Sequence, residues 1–399
     1  LEHLSDRLES VPVAVKLACF VAFLEVAIRF VFECFEGLIH AQKAFVPLAM
    51  LRNLCSVLRV VLIYFLLLDG ASILMLSIII CLLTLAQSAA MAMIALRQKP
   101  FVRPRLSLID LAKIKETFSF SSFVMLTQLA GRFAAATAPV IVGTKLGLAA
   151  VVPFSAAASL INYLSSIIVN VSRTLLPYVS TEEYSEDLAK MSRVYTDVSR
   201  LSSGIILPAI AGLLVMGEYL LGQWLGDEVG KDTFGVLSVL VVGQALHLVQ
   251  RGSAYPSLTA RGDVSGVALV YVISALVGTG LAFGGAEPYG LRGVALGVAA
   301  GSFLSGAGLM TLAFYRFRPH WFGYLVDGYG RGICLAVIVF AVGRLAQQLF
   351  VEHPNMNLVL QLLLCGSAAL LGIYGVILKP AERGVVNAFL NSNLKKRVS

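Results

Sequence analysis

Apolar residues come along this chain in runs of about twenty, separated by short polar joints. A helix of that length crosses the roughly 30 Å hydrocarbon core of a bilayer. The pattern predicts eleven such helices, near 11–35, 45–68, 71–96, 118–144, 149–176, 201–225, 234–257, 263–284, 291–315, 330–349 and 357–378. A membrane β-barrel would need segments of about ten residues with alternating polarity, and the chain has none of that pattern. The expected fold class is therefore an all-α integral membrane protein. The first run is the least regular, because Lys16, Glu25 and Arg29 interrupt it.

The joints alternate in charge. Basic ones carry Arg97, Lys99, Arg103, Arg105, Lys113 and Lys115; Arg173, Lys190, Arg193 and Arg200, mixed with acids; Arg251 and Arg261; Arg316, Arg318 and Arg331; and the tail residues Lys379, Arg383, Lys395, Lys396 and Arg397. The joints between them, around Asp69, 143–147, 226–232, 284–290 and 351–355, are short and mostly neutral or acidic. Lys and Arg concentrate on the cytoplasmic side of membrane proteins. This places the C-terminus in the cytoplasm and the beginning of the chain outside. The opening LEHLSDRLES has neither Met nor the build of a signal peptide. The chain is accordingly expected to be the remainder of a longer one that has lost an odd number of spans. The stretch 178–200 is expected to form an amphipathic helix on the cytoplasmic surface, capped by Ser180 or Thr181. Two readings of it stand, a passive connector and a hinge between moving parts.

Composition sharpens the class. Of 399 residues, 58% are hydrophobic and only 14% charged, and the mean hydropathy is +0.84. Soluble domains do not have that balance. The net charge of +8 is accounted for by the basic joints, so no nucleic-acid partner is expected. Cys19, Cys34, Cys55, Cys81, Cys334 and Cys365 form no CxxC pair, and the five histidines form no HExxH spacing. No metal, no cofactor and no enzyme constellation is expected. The glycine-rich run GVALGVAAGSFLSGAG at 293–308 marks close helix packing.

The candidate chemistry lies in charges that sit inside apolar runs. A central Arg costs roughly 2.5–3.5 kcal/mol on insertion scales and faces a bundle interior or a watery cavity. Arg132 lies about midway along the fourth run and Arg59 is similarly deep in the second, with Arg52 one heptad before it on the same face. Arg59 and Arg132 either line a substrate path or make internal helix-to-helix hydrogen bonds; Arg52 either joins them or reaches the interface. Gln128, Asn162 and Asn170 are polar neighbours that could share the path. Glu25 and Arg29, four residues apart, are expected to form a structural ion pair. Deep cations without lone deep acids suit an anionic cargo, because a guanidinium holds phosphate or carboxylate bidentately.

Several stretches then carry a family resemblance: residues 118–180, ending in Leu176-Pro177; MGEYLLGQWLGDE at 216–228; ARGDVSGVAL at 260–269; EPYGLRGVALGVAAG at 287–301; and FEGLIHAQKAF at 35–45. In this order they resemble the polysaccharide-transporter and Wzx-type O-antigen flippases of the MOP superfamily, which also holds the lipid II flippases and the MATE exporters. Where those proteins commonly carry an Asp beside the basic residue, this chain has Gly131-Arg132, so no role for that acid carries over.

The resemblance implies a 14-helix, two-lobed bundle of which about eleven helices are present. Residues 1–117 would be the remainder of the N-terminal lobe, with about three helices missing. Residues 118–325 would be the C-terminal six-helix lobe with the surface linker 178–200, and 326–399 two additional helices and a basic cytoplasmic tail. The implied function is to flip an undecaprenyl-pyrophosphate-linked oligosaccharide across the bacterial cytoplasmic membrane by alternating access through a cationic cavity. Membrane lipids, a polysaccharide polymerase and glycosyltransferases are the implied partners. Two alternatives stand: a MATE-like exporter, for which Glu25 is the only deep acid, and a membrane-embedded glycan-assembly enzyme.

Overall fold

The computed structural model describes residues 12–41, 45–68, 70–98, 110–179, 187–349, 354–380 and 382–384, and all regular structure among them is helical. The chain forms two compact units, Leu1–Asp110 and Leu111–Ser399.

The first unit holds α1 (Val13–Ala41), α2 (Phe45–Leu68) and α3 (Ile73–Gln98). Helix α1 packs chiefly along α3. A small core of Ile39, Leu48, Met91 and Ala95 joins the three. Phe20, Phe23, Phe30, Val57 and Phe65 point outward. Apolar surface on that scale suits hydrocarbon rather than water.

The second unit runs through α4 (Leu111–Lys145), α5 (Leu148–Val179), α6 (Leu188–Leu225), α7 (Asp227–Ala260), α8 (Val264–Phe317), α9 (Trp321–Tyr324), α10 (Arg331–Leu349) and α11 (Pro354–Gly372). A π-helical turn, Leu325–Gly330, links α9 to α10, and another, Ile373–Ile377, follows α11. Helix α8 is two helices in one run: Gly290, at φ 59° and ψ −141°, turns the chain where a side chain would be strained. The turn falls in the joint read at 284–290.

Nine of the described helices are long and apolar enough to cross a membrane. Breaking α8 at Gly290 makes ten; α1, which carries five charges, is not among them. The protein is a multi-pass membrane protein of all-α class.

Helix starts differ from the apolar windows for one physical reason. Hydropathy marks the part immersed in lipid, while backbone hydrogen bonding continues to the cap. Thus α4 begins at Leu111, and its 35 residues span about 52 Å at 1.5 Å per residue. The largest difference is at 178–200. Ser180 and Thr181 lie outside the described residues. The cap is Asp187, whose Oδ1 accepts from the backbone N–H of Ala189 and Lys190 at 2.9 and 3.2 Å. From Leu188 the chain is the start of α6 rather than a separate surface helix, and Met191, Tyr195, Val198 and Arg200 are buried.

Small residues set the helix spacing. The two halves of α8 meet through Gly278 against Gly301, Gly285 against Gly293, and Gly297 against Ala282. A Cβ at Gly297 would come 2.1 Å from the Ala282 backbone nitrogen. A Cβ at Gly306 would come 2.6 Å from the backbone nitrogen of His247 on α7.

A buried polar cluster and a charge cluster fasten the C-terminal helices to the rest of this unit. The Gln250 amide donates to Tyr324 Oη at 2.9 Å and Tyr329 Oη at 2.6 Å, and its carbonyl accepts from Tyr195 Oη at 2.9 Å. Tyr324 Oη donates in turn to Tyr195 Oη at 2.8 Å. Beside them Arg200, 1% exposed, reaches Glu382 at 2.6 Å and Asp197 at 3.4 Å. Lys379 also holds Asp197, at 2.6 Å.

Candidate functional site

Three helices of the first unit each present polar residues at helical spacing. On α1 these are Arg29, Glu33 and Glu36; on α2, Arg52, Ser56 and Arg59; on α3, Thr84, Gln87 and Ser88. Residues three or four apart, or one heptad apart, share a helix face. The three stripes line one cleft of about 360 Å³.

Its interior is a chain of hydrogen bonds. Arg59 Nη2 donates to Thr84 Oγ1 at 3.1 Å, and Thr84 Oγ1 donates to Glu25 Oε1 at 2.8 Å. Arg59 Nε is buried and has no partner. Arg52 Nη2 forms an ion pair with Glu36 Oε2. Arg29 is exposed and lines the cleft. One guanidinium is thus neutralised and a second is held by a neutral hydroxyl that an incoming anion can compete with. The lining thus carries the guanidiniums of Arg29, Arg52 and Arg59 together with the carboxylates of Glu33 and Glu36.

Of the residues singled out in the sequence, Arg52 and Arg59 meet in this cleft. Glu25 and Arg29 do not form the expected ion pair. Sharing a helix face makes pairing available, yet the Glu25 carboxylate turns to Thr84 on α3, where the hydroxyl relays it to Arg59.

Arg132, Gln128, Asn162 and Asn170 belong to the second unit. Arg132 and Gln128 are exposed on α4, and Arg132 makes no hydrogen bond or ion pair with a described residue. Asn162 lines a separate cavity bounded by α4, α5, α7 and α8. Asn170 is exposed on α5.

Sequence reasoning missed Glu33, Glu36, Thr84, Gln87 and Ser88. The signal was present: Glu25, Arg29, Glu33 and Glu36 repeat at intervals of four, four and three, the period of one helix face.

The sequence model of a family described as polysaccharide biosynthesis protein matches residues 19–231, more than half of the chain. The chain belongs to that family. No curated protein matches the chain. Among solved structures, a lipid II flippase, MurJ, in an inward closed conformation matches with a TM-score of 0.59 and 12% identity, covering 89% of this chain and 72% of that one. At that identity the likeness speaks to the fold. The MOP-type resemblance read from segment order agrees with both findings.

Proposed function

We propose that this protein is a flippase, not an enzyme, and that it moves an undecaprenyl-pyrophosphate-linked oligosaccharide from the inner to the outer leaflet of the bacterial cytoplasmic membrane. The observation that carries this reading is the arginine cleft of the first unit, in a chain of the polysaccharide biosynthesis family. Pyrophosphate and sugar cannot cross hydrocarbon unaided, because an unpaired charge in a low-dielectric medium is far too costly. Arg29, Arg52 and Arg59 supply the hydrogen bonds that water gives up, while the polyprenyl tail stays in lipid.

In this reading residues 1–117 belong to one lobe, 118–325 to the other, and 326–399 add two helices and a basic tail. The cleft opens alternately to each side of the membrane. Arg132, Gln128, Asn162 and Asn170 line the path on the second lobe. The C-terminus lies in the cytoplasm, beside the glycosyltransferases that supply the cargo, and a polymerase receives it outside.

The test is thermal unfolding of the purified full chain in detergent with undecaprenyl pyrophosphate, against undecaprenol. A ligand at about 100 times its Kd adds about 2.7 kcal/mol. The expected result is stabilisation by the pyrophosphate lipid alone, lost in Arg52→Gln/Arg59→Gln. Equal stabilisation by undecaprenol, or a full effect in the double variant, would overturn the proposal.

A further inference from the structure

The second unit carries a cleft of about 360 Å³ where the end of α6 meets the start of α7 and the end of α10. It shares no residue with the arginine cleft of the first unit. Close helix packing shapes it. A Cβ at Gly230 would come 2.6 Å from the backbone nitrogen of Gly222, so α6 and α7 touch beside the cleft. Phe234 is an apolar part of the wall.

Four charged side chains line the cleft, two of each sign: Glu218 and Asp227, Lys231 and Arg344. All four are exposed, so a ligand can reach them. None of the four forms an ion pair with a described residue. Arg344 is held in place by neutral groups. Its Nη1 donates to Gln347 Oε1 at 3.2 Å, Gln347 Nε2 donates to the Val215 carbonyl on α6 at 2.7 Å, and the guanidinium lies 5.3 Å from the Phe340 ring. The Asp227 carboxylate lies against Gly222, where a Cβ would meet Oδ1 at 3.3 Å. Two acids and two bases that leave one another unpaired suit a ligand carrying both signs. A net anion would face two carboxylates, and a net cation two cations.

The surroundings say where such a ligand comes from. Trp224, exposed in the joint between α6 and α7, marks headgroup depth, because Trp gathers at the membrane–water interface. On α10, Ile333, Val337, Phe340 and Arg344 follow one another at intervals of four, three and four, which is one helix face. The three apolar members are exposed. The stripe rises about 16 Å at 1.5 Å per residue, half of the roughly 30 Å hydrocarbon core. It is one leaflet deep and ends at a cation of the cleft.

We propose that this cleft holds the headgroup of a phospholipid bearing both a phosphate and a primary ammonium, a phosphatidylethanolamine, with an acyl chain along the α10 stripe. Arg344 and Lys231 take the phosphodiester, the first as a fork and the second as a point charge. The ammonium, with three donors, meets Glu218 and Asp227. A choline headgroup has no N–H to give these carboxylates, and a glycerol headgroup brings them a net anion. The lipid is a resident at the edge of the bundle and not a cargo. The proposal stands apart from the flippase reading, which fails on pyrophosphate binding in the first unit.

The experiment is native mass spectrometry of the purified full chain, delipidated in detergent and offered dioleoyl phosphatidylethanolamine, phosphatidylcholine and phosphatidylglycerol at equal concentrations. Glycerophosphoethanolamine, the headgroup without tails, is the competitor. The variants are Glu218→Gln/Asp227→Asn and Lys231→Gln/Arg344→Gln, and melting temperature without lipid checks that each is folded. The expected result is at least fivefold preference for the ethanolamine lipid, undisturbed by an equal concentration of glycerophosphoethanolamine. Lys231→Gln/Arg344→Gln should reduce retention of that lipid at least fivefold. Glu218→Gln/Asp227→Asn leaves only the cations, so the order should reverse in favour of the glycerol lipid. Equal retention of the three lipids would mean unspecific coating of the bundle, and overturns the proposal. So would a preference that survives both variants, a preference of the unaltered chain for the anionic lipid, or displacement by the tail-less headgroup, which would assign the cleft to a soluble zwitterion.

Discussion

Replacing Glu382 with Gln should harm the protein more than replacing the arginine it pairs with. The Arg200 side chain is buried, with Nη2 2.6 Å from Glu382 and Nη1 3.4 Å from Asp197. Breaking a buried pair from one side costs about 3–5 kcal/mol, because the remaining charge is left uncompensated. Two features reduce that figure here. Glu382 is a third exposed, and Asp197 stays beside Arg200 although Lys379 shares it. A hydrogen bond to a charged group is worth about 1.5–3 kcal/mol, so about 2 kcal/mol is expected for Glu382→Gln. Arg200→Met removes the buried charge itself and leaves a carboxylate that water can reach, at a cost of about 1 kcal/mol. The double variant should match Arg200→Met alone, which makes the coupling between the two sites about 2 kcal/mol, well above the roughly 0.5 kcal/mol of independent sites. Helicity followed through SDS unfolding in mixed micelles measures all four proteins. A Glu382→Gln variant no weaker than Arg200→Met, or a coupling below about 0.5 kcal/mol, would refute the reasoning.

Two further outcomes follow from packing and hydrogen bonding. Gly297→Ala should cost about 3 kcal/mol by overpacking, since its Cβ would press on the Ala282 backbone, whereas Gly280→Ala, with nothing within 4 Å, should gain about 0.5 kcal/mol from helix propensity; melting temperatures in detergent rank the pair. Gln250→Leu removes the three hydrogen bonds to Tyr195, Tyr324 and Tyr329, each worth about 0.6 kcal/mol in a membrane protein, and should cost about 2 kcal/mol in the same SDS unfolding assay.

The helices were legible because lipid demands a long apolar run for each crossing, and the turns at Gly290 and Gly226 fall in joints visible as polar breaks. Position along a helix was legible too, which is how Arg59 and Arg132 stood out. Azimuth was not. The two arginines carry the same signal in sequence, yet Arg59 is half-buried against Thr84 while Arg132 is exposed on α4. Which way a residue faces depends on the neighbouring helix, and the partner of Arg59 lies 25 residues away on α3. Glu25 makes the same point: its local partner Arg29 was visible, and the distant one, Thr84, won. The start of α6 was misread because its charged residues resemble a surface helix, and only the packed structure shows Tyr195 and Arg200 buried.

The glycine seam inside α8 has a genetic consequence. Every amino acid reachable from a glycine codon by one base change is larger: Ala, Ser, Cys, Val, Asp, Glu, Arg or Trp. At Gly278, Gly293, Gly297 and Gly301 the first added atom already meets backbone. Each missense change at these codons therefore places at least a methyl group where two main chains touch. Inactivating alleles should concentrate at these positions, whatever the cargo, while Gly280 and Gly284 on the same helix, with open space around them, accumulate harmless variation.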